Sequence, residues 1–376
     1  MSGFFARFSA VFVKEFIQMR RDRMTFAMMI GVPLMQLMLF GFAINADPKN
    51  LPTAVVMADS GPLVRSILHA LVNTGRFALT RTVASEAEAR LLLQEGKVQF
   101  VVSIPPHFER DLLRGQRPTL LVEADASDPT AVSYAFDALG SLNTRALNHD
   151  LIGSLADLRS GAPPFELSIH RSYNPEAISQ YNVVPGLMGV VLTMTLVVMT
   201  GIAMTRERER GTLENLLATP IRPLEVMLGK IIPFILVGYV QVAIILLFAR
   251  FLFAVPMEGS IALLSAVAVL FIASNLAMGF TFSTLAETQM QAMQMSMFFF
   301  LPSLLLSGFM FPFRGMPEWA QVIGEILPLT HFLRIVRGIL LKGNDWAEIW
   351  PNVWPIGAFL LAVALLALAR YRQTLD

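Results

Sequence analysis

A dense block of charge, residues 204–220, is the part of the sequence best suited to making specific chemical contacts. Its order is Arg206, Glu207, Arg208, Glu209, Arg210, Gly211, Thr212, Leu213, Glu214, Asn215, Leu216, Leu217, Ala218, Thr219, Pro220. Alternating charges can form several charge-assisted hydrogen bonds with a partner, and leucines at helical spacing can fill an apolar cleft. A loop that only anchored anionic lipid would need arginine but not the interleaved glutamates. The pattern therefore predicts a short amphipathic helix that binds a protein.

Catalytic chemistry has little support elsewhere in the sequence. Gly96-Lys97 and Gly229-Lys230 both lack the glycine that a phosphate-binding G-x-x-x-x-G-K-[ST] loop requires, so this chain is not expected to bind ATP. There is no cysteine, and the five histidines are scattered without the spacing of zinc ligands. We therefore expect no catalytic residue, no metal site and no cofactor bound by this chain.

The charged block lies between two uncharged apolar runs, and the composition indicates a membrane protein. The chain is 55% hydrophobic, only 15% charged, and has a mean hydropathy of +0.58. Crossing a bilayer takes about 20 apolar residues. Six segments meet or approach that length: Met24–Ile44, Tyr181–Thr205, Ile231–Ala249, Gly259–Ala286, Thr288–Phe313 and Ile349–Ala369. The predicted fold is an α-helical polytopic membrane protein of six transmembrane helices.

Basic residues predict how these spans are oriented. They cluster before the first span, in the loop 206–230 and after the last span, as expected of segments on the cytoplasmic side. Both termini are thus predicted to lie in the cytoplasm, with the chain in the cytoplasmic (inner) membrane of a bacterium. Residues 1–23 place phenylalanines on one face and the polar residues Lys14, Glu15, Arg20 and Arg21 mostly elsewhere, as in an interfacial helix or a plain anchor. Four basic residues fall on the predicted outer side of the membrane, against this rule: Arg314, Arg334, Arg337 and Lys342.

Residues 45–180, between the first two spans, are predicted to form an inserted α/β domain outside the cytoplasm. The predicted strands are Thr53–Ala58, Phe77–Val83, Gln99–Ile104, Thr119–Glu123 and Glu166–Ile169. The predicted helices are Leu63–Asn73, Glu86–Gln94, Phe108–Leu113 and Thr130–Ser160, the last of which is long enough to lead back toward the membrane.

The interiors of the predicted spans hold no Asp, Lys or Arg. Ion-driven carriers usually need such groups to relay the driving ion, so energy for transport would have to come from outside the spans. In the fifth predicted span Met290, Met293 and Met297 share one helical face, with Gln294 beside it. Methionine adapts to irregular apolar shapes, so this face is a candidate wall of a cargo path. A surface for lipid or subunit packing is the alternative.

The chain resembles permease subunits of the type-2 ABC exporter family, in the subgroup with a large extracytoplasmic domain between the first two spans. The resemblance covers nearly the whole length and is most specific at 206–220, which has the pattern E-x-E-x-G-T-x-E-x-L-L-x-T-P. Other matching parts are Lys14-Glu15, Arg20-Arg21-Asp22, Leu327-Pro328-Leu329-Thr330-His331 and Arg337-Gly338.

This resemblance implies a mechanism and partners. The loop after the second span would be a coupling helix on a separate ATP-binding subunit, which would hold ATP and Mg²⁺. Two permease halves, copies or paralogues, would make one exporter, and residues 314–342 would form short re-entrant helices. Membrane lipid and a periplasmic adaptor protein are further expected partners, and nucleic acid is not. The expected cargo is amphiphilic or lipid-like.

Two other classes of function stay open at this point. One is a channel-like or ion-driven carrier, which the uncharged spans disfavour. The other is a membrane-anchored receptor or scaffold whose outer domain binds a ligand. Co-purification separates them, because only the exporter is expected to bind an ATPase.

Overall fold

The computed structural model describes residues 49–140, 142–152, 155, 162–209 and 223–370. The predicted interfacial helix 1–23, the first predicted span 24–44 and residues 210–222 of the charged loop lie outside this part of the chain. A five-stranded sheet with flanking helices comes first and is followed by long apolar helices. This arrangement supports a polytopic membrane protein with a separate α/β region.

The sheet has the strand order β2-β1-β3-β4-β5. Its strands are β1 (Leu51–Met57), β2 (Phe77–Val83), β3 (Phe100–Ile104), β4 (Thr119–Asp125) and β5 (Glu166–Ser172). Strand β1 is parallel to β2 and β3, β4 is antiparallel to β3, and β5 is parallel to β4. All five predicted strands are confirmed in position, and so is the prediction of a partly parallel sheet.

Three flanking helices of the sheet are confirmed where the pattern placed them: α1 (Pro62–Asn73), α2 (Glu86–Gln94) and α3 (Phe108–Leu113). In α2 the local sequence explains the helix. Ser85 Oγ accepts a hydrogen bond from Glu88 N at 3.2 Å, which satisfies a first-turn donor. The opposite face buries Ala89, Leu92 and Leu93 against β1 and β3.

The predicted long helix Thr130–Ser160 is wrong. The chain forms α4 (Pro129–Leu139), a single turn α5 (Leu142–Arg145) and a further turn through residues 146–150. Gly140 separates the two helices, and Leu142, Leu147 and Leu151 are all buried in the sheet core. The five-residue step from Leu142 to Leu147 does not fit one face of an α-helix, so the chain has to bend to bury both side chains.

The remaining helices are α6 (Ser179–Glu209), α7 (Pro223–Phe251), α8 (Ile261–Leu285), α9 (Gln289–Leu306), α10 (Glu318–Ile326), α11 (Pro328–Lys342) and α12 (Trp346–Arg370). Within the described residues, α6, α7, α8 and α12 are long and apolar enough to cross a membrane. They coincide with four of the six predicted spans. Leucines and phenylalanines project outward from α7 and α12, as expected of surfaces that lipid covers.

The predicted end of the fifth span at Phe313 is wrong, because α9 stops at Leu306. Its 18 residues extend about 27 Å at 1.5 Å per residue. Gly308 then takes a left-handed conformation with φ of +82°, which turns the chain away from the helix axis. The apolar run continues to Phe313 in sequence, but as a turn followed by a short 3₁₀ helix at Phe313–Gly315.

Helix α6 packs against α8, α9 and α11 and so lies at the centre of the bundle. Phe271 of α8 stacks on Phe332 of α11 with ring centroids 4.0 Å apart and planes within 2°. At Gly279 the backbone of α8 approaches α6 so closely that an added Cβ would lie 2.6 Å from the carbonyl oxygen of Val197. The bundle therefore depends on small residues for close helix contact, as is common in membrane proteins.

Arg334 and Arg337, two of the four basic residues that disagreed with the orientation count, have partners within the fold. Arg334 forms two hydrogen bonds with the Glu325 carboxylate, at 2.7 and 3.0 Å, and lies 4.7 Å from the centre of the Phe313 ring. Arg337 donates to the carbonyl oxygen of Gly308. Because Arg334 and Arg337 make these contacts within α9–α11 and the connecting turns, they need not face the cytoplasm.

Candidate functional site

The end of α6 is bound to the start of α9 beside the charged loop. Glu209 Oε1 accepts a hydrogen bond from the backbone N–H of Gln289 at 2.7 Å, and Oε2 accepts one from the Gln289 side-chain amide at 2.5 Å. Arg206 Nε donates to Gln289 Oε1 at 3.4 Å. Two predicted site residues, Arg206 and Glu209, thus meet a third residue, Gln289, that the pattern did not identify.

The local sequence explains why the Glu209 carboxylate is bound at Gln289. Thr288 caps α9, its Oγ1 accepting from Gln291 N at 3.2 Å, so the N–H of Gln289 is one of the first-turn donors that have no partner within the helix. A carboxylate is favoured at this position because the N-terminal end of the helix dipole is positive. The T-x-x-Q pattern at 288–291 is a capping signal that could have located this site in the sequence.

The other predicted coupling residues fall beyond what the structure describes. Glu207 continues α6, and Arg206 and Glu209 are exposed in the last turns of that helix. The following predicted residues lie outside the described residues: Arg210, Gly211, Thr212, Leu213, Glu214, Leu217 and Pro220, together with Lys14, Glu15, Arg20 and Arg21 of the interfacial helix.

The predicted methionine face of α9 is only partly open. Met290 and Met293 are 65% and 42% exposed, whereas Met297 packs against the core of the bundle. Gln294 Oε1 is buried beside this face and has no hydrogen-bond partner within the described part of the chain. A buried amide oxygen without a partner is costly, so this position is suited to receive a donor from another molecule.

A second exposed apolar stripe, which the sequence pattern did not distinguish, runs along α6. Its members are Val183, Leu187 and Met194, while Met199 is exposed on another side of the helix. In sequence they belong to a continuous apolar run, and only the packing of the opposite face of α6 into the bundle shows which residues are left uncovered. Two helices that pack against each other, α6 and α9, therefore both expose apolar side chains.

A groove of about 530 Å³ lies between α1 and the α4–α5 segment of the sheet region. Its polar lining includes His69, Arg145 and His149, and Ser66 Oγ donates to Asp150 Oδ1 at 3.1 Å across it. Across the described ranges, no set of three His, Asp or Glu side chains is placed to hold a metal ion.

Comparison with known proteins gives consistent matches. A family model described as ABC-2 family transporter protein matches residues 23–369. The probable multidrug ABC transporter permease YbhS of Escherichia coli K12 is 28% identical over 368 residues, covering 96% of this chain and 94% of that protein. Permease YbhR, of the same strain and description, is 28% identical over 369 residues, 98% and 99% of the two chains. The inner membrane transport permease YhhJ of this strain is 30% identical over 355 residues, 91% and 93% of the two chains.

Proposed function

This chain belongs to the ABC-2 family of transporter proteins and is the permease subunit of an ABC exporter, and we propose that it moves amphiphilic small molecules or lipid-like cargo out of the cytoplasm. The observation that carries this proposal is the family match over residues 23–369, together with full-length similarity to permeases of which two are named for multidrug transport. The apolar stripes of α6 and α9 suit cargo with a large apolar surface.

The energy would come from a separate ATP-binding subunit. We propose that ATP and Mg²⁺ bind there, that two permease halves assemble around the cargo path, and that residues 206–230 dock on the ATPase. The hydrogen bonds that join Arg206 and Glu209 to Gln289 support a way for movement of the ATPase to reach the helices. Displacement of the loop would displace the start of α9 along with the end of α6. The exposed methionines then lie on the helix that moves.

Co-purification followed by reconstitution tests this function. The full chain is expected to bring down a P-loop ATPase, and the complex in vesicles should move a lipophilic fluorescent dye only when ATP and Mg²⁺ are present. Dye movement driven by an ion gradient without ATP would favour a carrier. A chain that binds no ATPase but binds a ligand through its sheet region would favour a receptor.

The cargo face gives a separate prediction. Replacing Met290 and Met293 together by tryptophan should narrow the path and change which dyes are exported, because both side chains are exposed on the α9 face with Gln294 beside it. ATP dependence should persist, since the contacts of Arg206 and Glu209 with Gln289 are untouched. Leu361→Trp is the matched control, because Leu361 lies on the outward face of α12 and is exposed. An unchanged dye profile in the double variant would contradict the assignment of this face.

The proposed orientation in the membrane gives a further prediction. We propose that both termini are cytoplasmic and that residues 45–180 lie in the periplasm, where an adaptor protein would meet them. The chain has no cysteine, so an introduced thiol is the only one present. Ala87→Cys, exposed on α2, should react with a membrane-impermeant maleimide in intact spheroplasts, whereas Ala89→Cys, buried on the same helix, should not. Labelling of Ala87→Cys only after lysis would invert the topology.

A further inference from the structure

A buried ion pair joins the sheet to the last third of the chain. Lys342, at the end of α11, donates through Nζ to Asp125 Oδ2 at the end of β4, and the two side chains are only 8% and 9% exposed. Two residues that are 217 positions apart in the sequence are thus in direct contact. A basic residue near a membrane surface would ordinarily face lipid headgroups, but this one is enclosed by the protein.

Several further contacts surround this pair. Lys342 Nζ also donates to the carbonyl oxygen of Leu93 at 3.4 Å and lies 5.3 Å from the centre of the Tyr173 ring. Asp125 Oδ1 accepts from the N–H of Ser127 at 3.1 Å. Asn344, which is buried, donates to the carbonyl oxygen of Gln94 at 3.2 Å. Both charges are therefore hydrogen-bonded as well as paired, which is the condition under which a buried ion pair is tolerated.

Tyr173 is held in a form that suits this contact. Burial, reinforced by the nearby carboxylates of Asp125 and Glu123, raises the pKa of the Tyr173 phenol to about 12. A tyrosine is neutral at physiological pH with or without this shift, and the ring keeps its face toward the Lys342 cation. Its backbone has a φ of +69°, a conformation that side-chain-bearing residues rarely adopt and that surrounding contacts must hold in place.

The sheet is also fixed to α6 through the linker that follows β5. Asn174 is fully buried, and its side chain accepts from Ile178 N at 2.9 Å and donates to Ile178 O at 3.0 Å. These two bonds close the linker into a compact turn directly before α6 begins at Ser179. A flexible tether would lack such buried side-chain bonds to the backbone.

Helices α6 and α11 also pack directly against each other. Gly189 of α6 faces α11 so closely that an added Cβ would lie 2.7 Å from Leu329 Cδ1 and 3.1 Å from Phe332 Cδ1. The sheet thus contacts α11, a hydrogen-bonded turn connects the sheet to α6, and α6 packs on α11. Three bodies joined pairwise have little freedom to move relative to one another.

We infer that Asp125 and Lys342 form a clasp that makes the sheet region, the first half of α6 and α11 a single rigid unit, so that the sheet region tilts as a lever when the other end of α6 moves. The clasp itself follows from these contacts alone. The lever role rests on the proposed function, because it assumes that an ATPase displaces the charged loop at the end of α6.

Replacing the ion pair by a covalent bridge tests the clasp. In the full chain Asp125→Cys with Lys342→Cys should lower ATP-dependent dye transport in reconstituted vesicles. Bridging the two thiols with a short bifunctional maleimide should restore it, because a rigid unit tolerates a permanent link at the junction. The matched control is Arg65→Cys with His69→Cys, an exposed pair one helical turn apart on α1 in the sheet region, where bridging should change nothing. A bridge at 125 and 342 that leaves transport low or abolishes it, while the control bridge does not, would overturn the inference.

Hydrogen exchange provides a readout that does not depend on transport. The N–H of Asn344, bonded to Gly338 O, and that of Ala126, bonded to Ser172 O, should exchange at similar slow rates. In Asp125→Asn the exchange at Asn344 should rise on the order of 100-fold, because one charge is then buried without its partner. Fast exchange at Asn344 in the unaltered chain would show a hinge and contradict the clasp. Absence of transport in the unaltered complex would instead count against the proposed function.

Discussion

Glu214→Arg is expected to abolish ATP-dependent transport while leaving the amount of permease in the membrane unchanged. Glu214 belongs to the charged loop, in the part that lies outside the described residues, and its role rests on the loop pattern and on family membership. Reversing its charge would place two like charges together in a groove built for alternating signs, which costs several kcal/mol at a protein interface. The measurement is dye transport by vesicles containing the complex, with ATPase binding followed by co-purification.

A companion variant separates docking from transmission. Gln289→Ala removes both side-chain hydrogen bonds to α6 but changes α9 and leaves the residues of the loop 206–230 unaltered. It should keep ATPase binding and lower transport for each ATP hydrolysed, whereas Glu214→Arg should lose binding as well. Gln116→Ala, at an exposed position before β4, is the control and should behave as the unaltered chain. If Glu214→Arg transports normally, the loop is not the coupling element.

Gly279→Ala is expected to destabilise the packing of α6 on α8 strongly. The added Cβ would lie 2.6 Å from the carbonyl oxygen of Val197 and 2.9 Å from Thr200 Cβ, so α6 and α8 would have to separate. Overpacking of this kind costs about 1–3 kcal/mol, and the cost is higher where backbone rather than a flexible side chain must move. The expected result is a lower melting temperature in detergent and less permease in the membrane.

Gly357→Ala is the matched control for this substitution. Gly357 also lies within a long apolar helix, α12, but nothing lies within 4 Å of an added Cβ. Alanine is favoured over glycine in a helix interior by roughly 0.5–1 kcal/mol, so this variant should melt at the same temperature or slightly higher. Equal melting temperatures for Gly279→Ala and Gly357→Ala would contradict the close packing of α6 on α8.

Local pattern was sufficient for the type and position of most elements. Strand Phe77–Val83 and helices Glu86–Gln94 and Phe108–Leu113 have the bounds that periodicity predicts. The reason is that alternation of buried and exposed side chains, caps and turn residues act over a few neighbouring positions. The same holds for the four long apolar helices, since length and hydropathy alone decide whether a helix can cross a bilayer.

The charge pattern predicted only the α6 residues of the candidate site. Arg206 and Glu209 follow from the charge pattern of the loop, but their partner Gln289 is 80 or more positions away and has no charge of its own to mark it. The methionine face was predicted as a unit, yet Met297 is turned into the bundle, because the packing of neighbouring helices decides which part of a face stays open.

By itself the sequence determined that this is an apolar, multi-helix membrane chain with an α/β region and a charged loop of exporter type. Tertiary structure alone decided that Lys342 of α11 is enclosed against Asp125 of β4 and that Met297 packs into the bundle. Each of these depends on which surfaces meet after folding. A residue's periodicity shows that it is buried, whereas its partner is selected by the shape and charge of elements far away in the chain.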